Sequence, residues 1–134
     1  MNSFDLTIVC PDGCIYDGPA ELIMVRTTQG EVGIMAHHQS YTAALGMGPC
    51  TVVMGEQKKK AACIGGMIEV SNNKVSVIAT TFEWKEDLDL ERAKNTLAQA
   101  QEHLAAPDLS KAERLIWDAQ RRRALVRISV AQSE

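Results

Sequence analysis

The hydrophobic period of this chain changes once, near residue 87, and that change restricts the fold more than any other feature. Up to about Thr81, short runs such as FDLTIVC (4–10), AELIMVRT (20–27), TVVMG (51–55), KKAACIG (59–65), MIEV (67–70) and KVSVIAT (74–80) are rich in β-branched residues and often alternate, as half-buried strands do. Turn signals separate them: PDG at 11–13, DGP at 17–19, GMGP at 46–49, GG at 65–66 and NN at 72–73, with SNNK reading as a tight hairpin. From Asp87 onward, Leu90, Ala93, Leu97, Ala100 and Leu104 recur at intervals of three and four, the spacing of one helix face. The expectation is an α+β chain, an N-terminal antiparallel β-sandwich or barrel over residues 1–84 followed by an antiparallel two-helix hairpin over 85–134. A chain of 134 residues is long enough for one core with such an attachment and short for two full domains.

The second helix follows from its punctuation. AAPDLS at 105–110 interrupts the first helix, because Pro107 cannot continue it, and Ser110 with Glu113 has the spacing of a capping box. The seam of this second helix is expected along Ala112, Ile116, Ala119, position 123, Val126 and Val130. Arginine occupies that seam position as Arg123, with Arg127 one turn further on. Two readings stand side by side: both side chains lay their stems along the neighbouring helix and put their heads in water, or they face an anionic ligand. Asp89 and Arg92 are equally open, being either a surface pair three residues apart or part of a binding site. Three seam leucines at about 1.5 to 3 kcal/mol each do not readily offset an ordering cost of about 1 to 2 kcal/mol per residue. The hairpin is therefore expected to need a docking surface and to be able to leave it.

Composition narrows the function classes. A formal net charge of -3 and the lack of a basic stripe argue against nucleic acid; the basic runs are KKK at 58–60, read as a solvated hairpin tip, and RRR at 121–123. Cys10, Cys14, Cys50 and Cys63 fit no zinc spacing, and three lie in apolar strand-like runs, so they read as buried reduced thiols. No apolar window approaches a membrane span and no secretory leader opens the chain, which reads as a cytoplasmic protein. His37 and His38 read as strand residues pointing opposite ways, without partners that would complete a metal set. Met24, Met35, Met47, Met54 and Met67 read as core packing by default, with an adaptable partner surface as the second reading, and Trp84 and Trp117 as anchors of the hairpin to the sandwich. No nucleophile with a base, phosphate-cradling glycine loop or pair of catalytic carboxylates is present. Catalytic and metal-binding residues are accordingly expected to be none.

The order of these elements and several motifs resemble the epsilon subunit of bacterial F-type ATP synthases. In the first part, Gly30, Glu31, Gly33, Ile34 and His38 are similar to the family's G-E-x-G-I stretch with its following histidine. Gly65, Gly66, Glu69, Val70, Asn73 and Lys74 resemble its later glycine-pair segment. In the second part, LDLERA is similar to the family's nucleotide motif through Leu88, Asp89, Arg92 and Ala93. The resemblance implies a non-catalytic central-stalk rotor subunit that couples proton transport to ATP synthesis and restrains ATP hydrolysis through a mobile hairpin. It implies contacts with the gamma subunit and the membrane c-subunit ring, contacts with the catalytic alpha and beta subunits when the hairpin extends, and a peripheral place on the cytoplasmic face of the bacterial membrane. It also implies ATP as a regulatory ligand, with no cofactor required, held by Glu83, Leu88, Asp89, Arg92, Ala93, Arg123 and Arg127; Gln99 stands where some members carry a further arginine. The alternatives are a free-standing ATP-sensing protein and a β-sandwich enzyme using His37 or His38.

Overall fold

The computed structural model describes residues 2–133. Its chain divides into two units, Met1–Lys85 and Glu86–Glu134. The first contains β1 (Phe4–Cys10), β2 (Gly13–Ala20), β3 (Leu22–Thr27), β4 (Gly30–Met35), β5 (Tyr41–Met54), β6 (Gln57–Ser71) and β7 (Lys74–Trp84). These form one seven-stranded sheet in the order β2-β1-β7-β6-β5-β3-β4. Neighbours are antiparallel except β1 and β7, which run parallel. Such a pair is invisible to local turn signals, since its partners are far apart in sequence.

The sheet folds over itself into a sandwich. Leu6 and Ile8 come from one end of the strand order and Ile23 and Ile34 from the other, yet all four are fully buried in a single core with Val52, Ile68 and Val77. Alternation decides which residues point there: in β3, Ile23 and Val25 are buried while Leu22, Met24 and Arg26 face outward. A hydrogen bond from the Glu21 amide to the Val53 carbonyl, 2.8 Å, continues the β3–β5 pairing into the connection between β2 and β3.

Three expected turns lie inside strands. DGP is part of β2, GMGP of β5 and GG of β6, so runs that read as separate strands are segments of longer ones. The physical reason is that glycine serves bends as well as turns. Gly65 and Gly66 have φ of 73° and 117°, and a Cβ on Gly66 would lie 2.0 Å from the Ile78 carbonyl oxygen, so β7 approaches β6 there as only glycine permits. The Asn72–Asn73 turn conforms to expectation, with φ of 52° and 60°, the left-handed pair that a tight hairpin turn requires.

A short 3-10 turn (Lys85–Asp87) spans the boundary between the units, and the second unit holds α1 (Leu90–Leu104) and α2 (Lys111–Ala131). The helices pack on each other, and a connection as short as 105–110 makes them antiparallel. Ala93 and Ala100 are buried on α1, Ala124 and Val130 on α2. The seam of α1 is as expected. That of α2 is not, because Ala112 is exposed and Ile116 is 59% exposed, while Ala124 is 1% exposed. Val130 is buried and Ala119, Arg123 and Val126 are half-buried as that seam requires, but apolar residues occur all round α2, with Leu115 and Leu125 also exposed, so spacing alone placed only part of the stripe.

Candidate functional site

The start of α1 is built by Asp89. Its backbone is extended (φ -96°, ψ 98°) and its Oδ1 accepts from the Arg92 amide at 3.0 Å, satisfying one of the donors that a helix start leaves open. The negative charge also suits the positive end of the helix dipole. Asp89 is thus a cap, and among the described residues its carboxylate forms no ion pair with the Arg92 guanidinium. Arg92 is exposed in the first turn, a cation at the helix end that favours anions.

The start of α2 is the anticipated capping box: the Glu113 amide donates to Ser110 Oγ at 3.1 Å and the Ser110 amide to Glu113 Oε1 at 3.4 Å. Near the connection, the His103 and Trp117 rings stack with centroids 3.8 Å apart and an interplanar angle of 11°. This contact places His103 and Trp117 side by side across the hairpin. Equal steps away from it along two antiparallel helices, at the same rise per residue, bring Ala93 level with Arg127 and Leu97 level with Arg123. Leu88, Asp89, Arg92 and Ala93 therefore share the open end of the hairpin with Arg127, and Arg123 lies one turn nearer the connection. Arg123 and Arg127 are half-buried and Gln99 is exposed. Arg127 engages a neighbouring group, while Arg121 binds Asp118 Oδ1 through Nε and Nη2 at 3.1 and 2.7 Å. Glu83 belongs to β7 in the sandwich, opposite Ala62, and is itself engaged.

Several side chains differ from expectation. Cys14 is exposed and Cys10 half-buried; Cys50 and Cys63 alone are buried. Cys14 lies opposite Val9 on the outward face of the first hairpin. Burial pushes the Cys63 thiol up to about 12, and burial followed by the nearby Cys63 raises that of Cys50. His37 and His38 are in the loop after β4, not on a strand, and His37 has φ of 64°. Among the described residues no group of three or more His, Cys, Asp or Glu is placed to hold a metal. Trp84 packs at the margin of the sandwich core, edge-on to Phe82 at 5.0 Å with Lys59 Nζ 4.3 Å from its ring centroid. Lys59 is therefore not simply solvated.

Met54 packs against the core and Met47 is half-buried, but the other three strand methionines contradict a core assignment. Met24, Met35 and Met67 are exposed, each at an outward position of its strand. Met67 sits opposite Ile78, which in turn sits opposite Val9, giving an apolar row across three strands beside a hollow of about 380 Å³ lined by Val9, Cys10, Pro11, Gly66, Met67 and Ile78. The alternation that located the core also carried this signal, since these residues occupy the positions that should be polar.

A folded-over β-sandwich followed by a capped helical hairpin, with two half-buried arginines on its second helix, defines a class of two-part chains. Residues 3–85 match the family described as ATP synthase, Delta/Epsilon chain, beta-sandwich domain. The ATP synthase epsilon chain of Shouchella clausii is 33% identical over 132 residues, covering 98% of this chain and 97% of that one. The ATP synthase epsilon chain of Staphylococcus aureus is 37% identical over 127 residues, 91% and 95% of the two chains. This chain belongs to the ATP synthase epsilon chain family. The same fold occurs in a chain of the Euglena gracilis mitochondrial ATP synthase, with a TM-score of 0.85 at 24% identity, over 98% of this chain and 82% of that one. Among the described residues no helix is long and apolar enough to cross a membrane.

Proposed function

We propose that this chain is a central-stalk rotor subunit of an F-type ATP synthase, coupling proton transport to ATP synthesis without performing the chemistry. Its sandwich binds the gamma subunit and the membrane c-subunit ring, which places it peripherally on the cytoplasmic face of the membrane. Its hairpin restrains ATP hydrolysis by extending towards the catalytic alpha and beta subunits. The observation that carries this reading is a likeness to ATP synthase epsilon chains that runs through both units, at 33% identity over 98% of the chain. Two physical features support the division of labour. The core cluster of the sandwich is drawn from residues 4–84; and three of the four residues that the helices bury are alanines, with Val130 the fourth, which gives them little apolar area to hold by.

The hairpin also carries a regulatory ATP site on Asp89, Arg92, Arg123 and Arg127. Supporting this, the register brings the first turn of α1 to the half of the hairpin that holds both α2 arginines, and guanidinium groups pair bidentately with phosphate oxygens. ATP bound only by the closed hairpin adds RT ln(1 + [L]/Kd) to its stability, about 1.4 kcal/mol at tenfold excess over Kd. Removing residues 88–134 should leave the subunit in the purified complex and raise its hydrolysis rate. A truncated chain that no longer enters the complex, or an unchanged rate, would count against the assignment.

A further inference from the structure

Rings are scarce beyond the sandwich. After Trp84 the sequence holds no phenylalanine or tyrosine, a single tryptophan, Trp117, and a single histidine, His103, and the fold brings these two together. His103 is in the last turn of α1 and Trp117 is in α2; their rings are parallel within 11°, with centroids 3.8 Å apart. The residues that the helices bury are small, three alanines and Val130, whereas a stacked pair of rings brings two broad flat faces into contact.

The contact is arranged to respond to a proton. His103 Nδ1 is 2.8 Å from the Gln99 carbonyl oxygen, which can only accept, so Nδ1 carries a hydrogen and Nε2 is the atom that takes up the second proton. His103 is exposed, and solvent can supply that proton while the hairpin stays closed. Once charged, the imidazolium lies over an indole face at 3.8 Å, well inside the ~6 Å at which a cation is attracted to such a ring. It also lies at the helix end that favours cations. The neutral ring has stacking alone. The other charged groups near the rings are Glu102 on α1, Asp108 in the connection, and Lys111, Glu113, Arg114, Asp118 and Arg121 on α2; Glu113 accepts from the Ser110 amide, and Arg121 pairs with Asp118 at 2.7 Å. Carboxylates, lysines and arginines as classes hold their charge near neutral pH, and histidine is the side chain that changes it.

We propose that His103 and Trp117 form a proton-strengthened latch of the hairpin, so that closure increases as pH falls and is lost as pH rises. The direction follows from the contact: the closed form offers the cation a ring face that the open form lacks, and a proton held more tightly by the closed form stabilises that form in return. The regulatory consequence rests on the restraint of hydrolysis proposed above. A latched hairpin does not extend towards the catalytic subunits, so acid releases hydrolysis, and a synthase running in that direction moves protons out of the cytoplasm. The restraint thereby becomes a feedback on cytoplasmic pH.

The test compares the full wild-type chain with His103→Phe, which keeps a stacked ring without a charge, and His103→Arg, a permanent cation that stacks on aromatic faces. Protection of α1 and α2 amides against hydrogen exchange, measured by NMR relative to intrinsic rates, reads closure. From about pH 8 to about pH 6, wild-type protection should rise about threefold. His103→Phe should show no rise, and His103→Arg should be protected equally at both. Wild-type protection that does not rise overturns the latch, a result that stands whether or not a variant folds, and so does an equal rise in His103→Phe. Hydrolysis by ATP synthase reconstituted with each chain reads the consequence: the His103→Arg complex should be about threefold faster than wild type at about pH 8 and equal to it at about pH 6. Equal rates at both, with the protection result intact, refute the restraint role and leave the latch standing.

Discussion

Gly66 offers the sharpest test of how this sandwich is built. Its φ is 117°, and an added Cβ would sit 2.0 Å from the Ile78 carbonyl oxygen and 2.8 Å from Ala79 Cα. Both are backbone atoms of the adjacent strand, so no side chain can swing aside. Alanine here incurs about 1 to 3 kcal/mol of conformational strain. Relieving the overlap also requires β6 and β7 to separate locally, forfeiting ladder hydrogen bonds at about 1 kcal/mol each. The sum is roughly 4 kcal/mol, against a total stability on the order of 5 to 15 kcal/mol for a small domain. Two other glycines calibrate the scale. Gly65 has φ of 73° with Thr80 Oγ1 3.2 Å from the added Cβ, a side-chain atom that can move; Gly55 has φ of 64° with nothing within 4 Å. Gly65→Ala and Gly55→Ala should therefore each cost about 1 to 2 kcal/mol. Urea unfolding followed by fluorescence of the tryptophan at the core margin, Trp84, measures all three, with an unchanged m-value confirming a common unfolded state. A Gly66→Ala loss within about 1 kcal/mol of that of Gly55→Ala would refute the close approach of β7 as the reason for the glycine.

Other consequences can be checked separately. Cys63 has a folded-state pKa of about 12 against an ordinary 9.0, so the unfolded chain releases this proton first as pH rises. Stability should accordingly fall between pH 9.0 and about 12, with a slope approaching about 1.4 kcal/mol per pH unit for this group, and Cys63→Ala should flatten the alkaline limb of the denaturation profile. Asp89→Ala should lower the stability of the helical unit by about 0.5 to 2 kcal/mol in a far-ultraviolet melt, whereas Asp89→Ser should restore the cap. If ATP binding follows the carboxylate rather than the cap, it should be lost in both. Replacing Arg123 and Arg127 together by alanine should weaken ATP binding in calorimetry by at least about tenfold, and unchanged affinity would leave these arginines as contacts to partner subunits only.

Much of the architecture was legible because its determinants are local. The alternation in FDLTIVC and LIMVRT, the Asn72–Asn73 turn, the break at Pro107 and the Ser110–Glu113 box each dictate their own geometry. What sequence reasoning missed depends on partners distant in the chain. Whether GMGP and GG are turns or bends is decided by strands packed against them, and the parallel pairing of β1 with β7 joins the first and last strands of the sequence. The stripe of α2 that packs cannot be found where apolar residues surround the helix, as Ile116 and Ala124 demonstrate. The candidate site divides in the same way. Asp89 was singled out by its motif, but its spacing to Arg92 could not distinguish a side-chain pair from a cap bonding the backbone amide. Asn73 is legible in the sequence as a turn residue and a motif position, but its ties to His37 and Ser3 are not, since they span 36 and 70 positions.

The central claim is that this chain works as part of an ATP synthase and not alone. Its most direct test is to tag the chain in its native cells, solubilise the membranes gently, and identify what is eluted with it by native electrophoresis and mass spectrometry. The account predicts that the gamma, alpha, beta and c subunits elute with it in one high-mass complex. Elution of the chain as a free monomer, with those subunits left behind, would contradict it.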